Sequence, residues 1–276
     1  MSTRRFLKMH GLGNDFVIFD ARREPLPLSE AQAAAIADRR RGVGCDQVIA
    51  MEPPQDGGAD LFMRIWNNDG SEAGACGNAT RCVAALLFHE SGKEKATIQT
   101  LAGLLPVAAA ADGLVSVDMG EARFGWREIP LAREMDTEHL ELSYKTFSDP
   151  VGLNIGNPHA VFFVETPPDD ETLTEAGAAL ERDSLFPERT NVQFVQVLGR
   201  ERLRQRVWER GAGITQASGS GACAGAAAAV RRGLTERRVT TEMDGGEMIL
   251  EVRADWHVVM TGPVALAYAG EVEFAE

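Results

Sequence analysis

The sequence repeats itself once. Gly13-Asn14-Asp15-Phe16-Val17-Ile18-Phe19 has a counterpart in Gly156-Asn157-Pro158-His159-Ala160-Val161-Phe162, with the two asparagines 143 positions apart. Cys76-Gly77-Asn78-Ala79 has one in Ser218-Gly219-Ser220-Gly221, 142 positions on, and each run leads into an Ala-rich stretch. Nine residues before each run stands a polar residue after a tryptophan: Asn67 after Trp66, and Glu209 after Trp208, again 142 apart. Three matches, in order and at nearly constant spacing, indicate a duplicated domain. A period this long excludes a solenoid. A chain of 276 residues gives each half enough length for its own hydrophobic core.

Local patterns agree with two similar halves. Short apolar or β-branched runs at 17–19, 61–66, 160–164, 192–197 and 206–208, bounded by turn residues, read as strands. Asn78 to Ser91 has helical composition and stops at Gly92. Ala222 to Arg232 does the same, ending in two arginines before Gly233, which is a helix C-terminal signal. Each half therefore has a Gly-containing turn feeding one Ala-rich helix among strands, with the helix packed closely on sheet. The charged, weakly patterned segment from Gly120 to Thr146 is the expected connection.

The net charge of −13 repels phosphate backbones and argues against nucleic-acid or anionic-membrane partners. The basic N-terminus lacks an apolar segment behind it, so no secretory signal is expected. The apolar stretch at 224–230 is far below the ~20 residues of a membrane span. Four cysteines are too few for a disulfide scaffold at this length. The expectation is a soluble cytoplasmic protein with reduced thiols.

Cys76 opens its helix, where free N–H groups and the helix dipole favour a thiolate and can also hold a carboxylate. A base and an anion site in one place suit chemistry alpha to a carboxylate. Cys45, Cys82 and Cys223 read as apolar filler. No metal site is expected: C-x-x-C and H-E-x-x-H spacings are missing and the five histidines are scattered. Ala217-Ser218-Gly219-Ser220-Gly221 does not fit a G-x-S-x-G nucleophile elbow. Gly211-x-Gly213 and Gly219-x-Gly221 lack the rest of a dinucleotide or P-loop fingerprint. His159, by itself, reads more readily as a structural histidine, and Glu209-Arg210 more commonly as an exposed ion pair than as an acid beside a carboxylate clamp. Asn14, Gln47, Asn67, Asn157 and Asn191 are amides beside turns or strand ends in both halves, suited to orienting a polar ligand.

Seven segments together resemble the diaminopimelate epimerase family: His10–Phe16, Gly42–Gln47, Asn67–Glu72, Ala75–Cys82, Gly156–His159, Arg189–Asn191 and Trp208–Gly213. The resemblance implies a cofactor-independent enzyme that interconverts LL- and meso-diaminopimelate for lysine and cell-wall synthesis. It implies an α+β fold of two pseudo-symmetric domains, each a curved, mostly antiparallel sheet wrapped around a central helix, with the site in the cleft between them. The expected domains are residues 1–121 plus 263–276, carrying Cys76, and residues 122–262, carrying Ser218. In the family the C-terminal segment returns to the first half, which here would be the strand after Gly262-Pro263. A homodimer is also implied.

The family's mechanism uses two cysteines on opposite faces of the substrate α-carbon, one thiolate removing the proton while the other thiol supplies one. Carried over, Cys76 is the first of them. His159 and Glu209 assist the two bases. Asn14, Gln47, Asn67, Asn157, Asn191, Glu209 and Arg210 contact substrate, with Arg210 on the distal carboxylate. Gly77 and Asn78, with Gly219 and Ser220, supply helix-end donors to the reacting carboxylate. The second cysteine is replaced by Ser218, whose hydroxyl is far less acidic than a thiol and is weak without an activating base. Three readings of Ser218 stand open: an engineered substitution that disables one base, a natural variant relaying protons through Glu209, or a shift to a related substrate. Two other functions remain beside diaminopimelate epimerisation: racemisation or epimerisation of another amino acid such as histidine or hydroxyproline, and non-catalytic amino-acid binding.

Overall fold

A computed structural model of the chain describes residues 2–55 and 57–274. By its contacts the chain divides into two units: Met1–Val117 with Gly262–Glu276, and Asp118–Thr261. The first unit runs β1 (Ser2–Gly11), β2 (Asn14–Asp20), α1 (Glu30–Ala37), β3 (Gln47–Glu52), β4 (Leu61–Asn67), α2 (Gly77–Ser91), β5 (Lys95–Thr100), β6 (Gly103–Ala109) and β7 (Val115–Glu121), whose last residues pass into the second. The second runs β8 (Ser143–Tyr144), β9 (Phe147–Ser148), β10 (Val151–Asn154), β11 (Pro158–Phe163), α3 (Asp170–Glu181), β12 (Asn191–Gly199), β13 (Arg202–Glu209), β14 (Gly213–Ile214), α4 (Gly219–Arg231), β15 (Arg238–Met243), β16 (Gly246–Val252) and β17 (His257–Gly262). The last strand, β18 (Ala265–Phe274), belongs to the first unit.

The duplication read from short motifs holds for the strand topology. Within the first unit the strands lie in the order β7-β6-β5-β4-β3-β2-β1-β18, and within the second in the order β17-β16-β15-β13-β12-β11-β10. The pairing modes match as well. β2 with β3 and β4 with β5 are parallel, joined through α1 and α2. β11 with β12 and β13 with β15 are parallel, joined through α3 and α4. The hairpin partners in both units are antiparallel. Parallel neighbours need a crossover long enough for a helix, so both units place their helices at the same two points of the chain.

In the second unit α4 touches β10, β11, β12, β13, β15 and β16 and is therefore enclosed by its own sheet. Its composition follows from that position. Gly219 and the whole run Gly221–Ala229 are buried, and small side chains let strands approach from several sides. At Gly225 a Cβ would lie on Gln205 Oε1. α2 is enclosed in the same manner over its first two turns, Gly77–Ala84, and packs on β1, β5 and β6. α1 and α3 lie on the outer faces, against β3 and β4 and against β12, β13 and β14. Gly177 of α3 lets Trp208 pack on the helix backbone, since a Cβ there would sit 2.4 Å from Trp208 Cγ.

Four sequence expectations shift. Helix α4 starts at Gly219, three residues before its Ala run, because Ser218 Oγ accepts from Gly221 N and caps it. Helices α1 and α3 add to the expected elements: Ser29 and Gln32 form a full capping box and Asp169 caps through Thr172 N. The segment 120–146 is not a spacer: Ile129, Leu131, Leu140 and Leu142 are buried with Phe162 and Phe194 in the core of the second unit. The returning strand after Gly262-Pro263 runs on to Phe274, which pairs with Ser2.

Candidate active site

In the first unit the candidate residues gather at the β1–β2 turn, the ends of β3 and β4, and the start of α2. Gly11 pairs with Asn14 across the two-residue loop Leu12-Gly13, with φ of 56° and 88°. Positive φ at both positions is the signature of a type I′ hairpin turn. A leucine in that region costs about 1–2 kcal/mol, a strain of the kind stored at functional sites. The turn fixes Asn14. Its Nδ2 donates to Asp46 Oδ2 at 2.8 Å, and its Oδ1 accepts from Asn78 Nδ2 at 3.1 Å and from the Cys76 thiol at 3.8 Å. A carboxylate only accepts, so Asp46 dictates which end of the Asn14 amide faces Cys76. Cys76 is the N-cap of α2 and makes no side-chain cap bond. One strand over, Gln47 lies opposite Asn67 and donates to its Oδ1 at 3.0 Å.

A charge cluster anchors this turn. Asp15 takes Lys8 Nζ at 2.6 Å and Arg39 Nη2 at 2.7 Å, and Arg39 also holds Asp46 at 2.8 Å. Burial pushes the Asp15 carboxyl up, but hydrogen bonds and charge from Arg39 and Lys8 outweigh it and hold the group well below the usual carboxylate range. A carboxylate whose pKa is depressed on folding contributes stability that is full above its unfolded pKa near 4 and is lost as pH falls through the folded value. Asp15→Asn would also strand the buried Lys8, at about 3 kcal/mol. The melting temperature of Asp15→Asn should therefore lie well below the parent's at pH 7, with the gap narrowing as the pH is taken below 4.

In the second unit Ser218 occupies the place of Cys76, as the N-cap of α4. Its hydroxyl donates to Glu209 Oε2 at 2.8 Å, and the other carboxylate oxygen of Glu209 accepts from Thr215 Oγ1. The serine is 2% exposed. His159 is fully buried, its Nδ1 2.9 Å from Gln193 Nε2 and its Nε2 2.7 Å from Asn157 Oδ1. Burial pushes the imidazole pKa down to about 3, so the ring is neutral. A Cβ on Gly221 would be 3.0 Å from Ser218 Oγ and 3.3 Å from Gln193 Nε2. Ser218 and the Gln193–His159–Asn157 chain therefore meet at the first turn of α4.

Asn191 is committed to the backbone: Nδ2 donates to Pro158 O at 3.0 Å and Oδ1 accepts from Arg210 N at 3.0 Å. It sets the position of Arg210, whose exposed guanidinium touches Glu188 O at 2.9 Å. The first N–H groups of the two helices, at Gly77 and Asn78 and at Gly219 and Ser220, follow Cys76 and Ser218 directly, and a helix start favours an anion.

Four supporting residues escaped the sequence reading. Asp46 orients Asn14 and Gln193 bonds His159. Thr215 holds Glu209. Glu181, 3% exposed, accepts from Trp208 Nε1 at 2.7 Å and Gly211 N at 3.2 Å, anchoring the turn that carries Glu209 and Arg210. Asp46 stood in view beside Gln47, but nothing in the sequence links the other three to their partners across strands.

Cys45 and Cys82 are buried, and burial pushes their thiols up to about 11 and about 12, as expected of filler. Among the described residues no group of three or more His, Cys, Asp or Glu is placed to hold a metal ion, and no helix is long and apolar enough to cross a membrane. A cavity of about 570 Å³ in the first unit, beside Leu26, Ser29, Arg64 and Trp66, includes none of the candidate residues. Its one cation, Arg64, is already neutralised by Glu52 and Glu72.

Two topologically equivalent α+β units, each with Cys76 or Ser218 at the N-cap position of an enclosed helix, define a fold shared with solved structures. A Bacillus anthracis phenazine biosynthesis protein of the PhzF family superposes with a TM-score of 0.70 at 16% identity, covering 99% of this chain and all of that one. A hydroxyproline epimerase from Agrobacterium vitis does so with a TM-score of 0.70 at 15% identity, over 98% and 92%. The profile of the family described as diaminopimelate epimerase matches residues 6–125 and 151–267. The diaminopimelate epimerase of Rhodospirillum centenum is 56% identical over 98% of this chain and 92% of its own length. That of Acidiphilium cryptum is 55% identical over 99% and 98%. The chain belongs to the diaminopimelate epimerase family and is an isomerase of the epimerase type.

Proposed function

We propose that the chain interconverts LL- and meso-diaminopimelate without a cofactor, by moving the α-proton between two protein groups, in the supply of lysine and cell-wall precursors. The observation that carries this reading is the pair of matched helix caps, Cys76 on α2 and Ser218 on α4, the second bonded to Glu209. An amino-acid α-proton is weakly acidic, so the reaction needs a base, an acid and donors to the carboxylate. Cys76 works on one face of the α-carbon and Ser218, with Glu209 taking its proton, on the other. Gly77, Asn78, Gly219 and Ser220 direct N–H groups at the reacting carboxylate. Asn14, Gln47, Asn67 and Asn157 hold the polar groups of the substrate, and Arg210, positioned by Asn191, receives the distal carboxylate. A second charged head on the substrate favours diaminopimelate over amino acids with one. A homodimer in the cytoplasm is part of the same reading.

Incubation with LL- or meso-diaminopimelate in D2O tests it. The expected result is deuterium entering the α-carbon together with inversion. Exchange without inversion means that Cys76 works and Ser218 does not. Binding with no exchange overturns the catalytic reading and leaves an amino-acid-binding protein.

A further inference from the structure

We propose that Gln193 is a positioning residue that sets the hydrogen-bonding polarity of Asn157, acting through a His159 ring locked in one tautomer. The inference rests on Asn157 being a substrate contact, as assigned above.

The two asparagines related by the duplication are presented in opposite senses. Asn14 has its NH2 end tied to the Asp46 carboxylate and its carbonyl turned to Asn78 Nδ2 and the Cys76 thiol. Asn157 has its carbonyl tied to His159 Nε2 and is left offering its NH2. What fixes the second is a relay of three side chains. Gln193 Nε2 lies 2.9 Å from His159 Nδ1 and can only donate, so Nδ1 is the unprotonated nitrogen of a neutral ring. The proton then sits on Nε2, which donates to Asn157 Oδ1 at 2.7 Å. The ring is wholly buried and its pKa falls to about 3, so it stays neutral over the working pH range and keeps a single tautomer.

Asn157 follows Gly156, whose φ of 93° aims the loop between β10 and β11. Its outward NH2 suits an anionic ligand group and rejects an ammonium.

The test is the tautomer of His159, read by long-range 1H–15N correlation of the ring in uniformly labelled protein and assigned by the signals lost in His159→Gln. Protonated Nε2 and bare Nδ1, unchanged from pH 8 to pH 5, is the expected result. A proton on Nδ1, or a charged ring in that range, overturns the proposal. In Gln193→Glu the new carboxylate can only accept, so the proton moves to Nδ1 and Nε2 becomes an acceptor. Asn157 must then turn its NH2 inward, and KM for diaminopimelate should rise about tenfold or more with kcat changed far less. An inverted tautomer with unchanged KM overturns the proposal, as does a raised KM with Nε2 still protonated. Gln193→Leu serves if the glutamate does not fold: it removes the donor without adding charge, and the ring should become a tautomer mixture. The spectrum is read on the protein alone, so it decides the relay even if α-proton exchange fails and the proposed function with it.

Discussion

Ser218→Cys raises the rate of inversion at the substrate α-carbon by about two to four orders of magnitude, the range a correctly matched acid–base group contributes. The present hydroxyl is held to Glu209 at 2.8 Å, but a carboxylate is a poor base toward an alkanol, so little of the serine is ever available as an alkoxide. A thiol, with a pKa near 8.5 and lowered further at a helix N-terminus, both gives and takes a proton near neutral pH. The substitution has a cost. Ser218 Oγ accepts from Gly221 N and caps α4, and loss of such a cap removes about 0.5–2 kcal/mol. The variant should invert faster and melt lower. Chiral analysis alongside deuterium uptake reads the first effect and thermal unfolding the second. Unchanged inversion would mean that position 218 does not face the α-carbon.

Cys76→Ala has the opposite profile. Exchange of the α-proton should fall by about three orders of magnitude or more. Stability should hardly move, because the Cys76 side chain makes no cap bond to α2 and its bond to Asn14 Oδ1 is a long one to sulfur at 3.8 Å. The two caps thus divide the roles: the one that stabilises its helix is the weaker acid–base group, and the one that leaves its helix uncapped is the stronger. Retained exchange in Cys76→Ala, at a melting temperature close to the parent's, would overturn the assignment of this thiol.

The duplication was legible because it sits in short motifs at turns, where backbone geometry restricts residue choice. Gly13-Asn14, Gly156-Asn157 and the two helix starts mark the same points of two equal topologies. α1 and α3 were missed for a different reason: they lie on the outside of their sheets, and their caps at Ser29 and Asp169 are the clearest marks they carry. The segment 120–146 looked like a linker because irregular backbone has no period, yet four of its apolar residues help to fill a core. Within the candidate site, residues that touch ligand in the family could be read from the motifs. The side chains that aim them, Gln193, Thr215 and Glu181, could not, since their partners lie on other strands or the turn after β13 and the pairing exists only once the sheet is built.

The pairing of β18 with β1 has a consequence for the order in which the chain matures. Residues 118–261 are continuous and can complete their own contacts while the rest of the polypeptide is still being made. The N-terminal 117 residues, although synthesised first, lack an edge partner for β1 until 265–274 have left the ribosome. During that interval a ten-residue strand end is open to pairing with other chains. The half that carries the only candidate thiol of the site is thus the last to close.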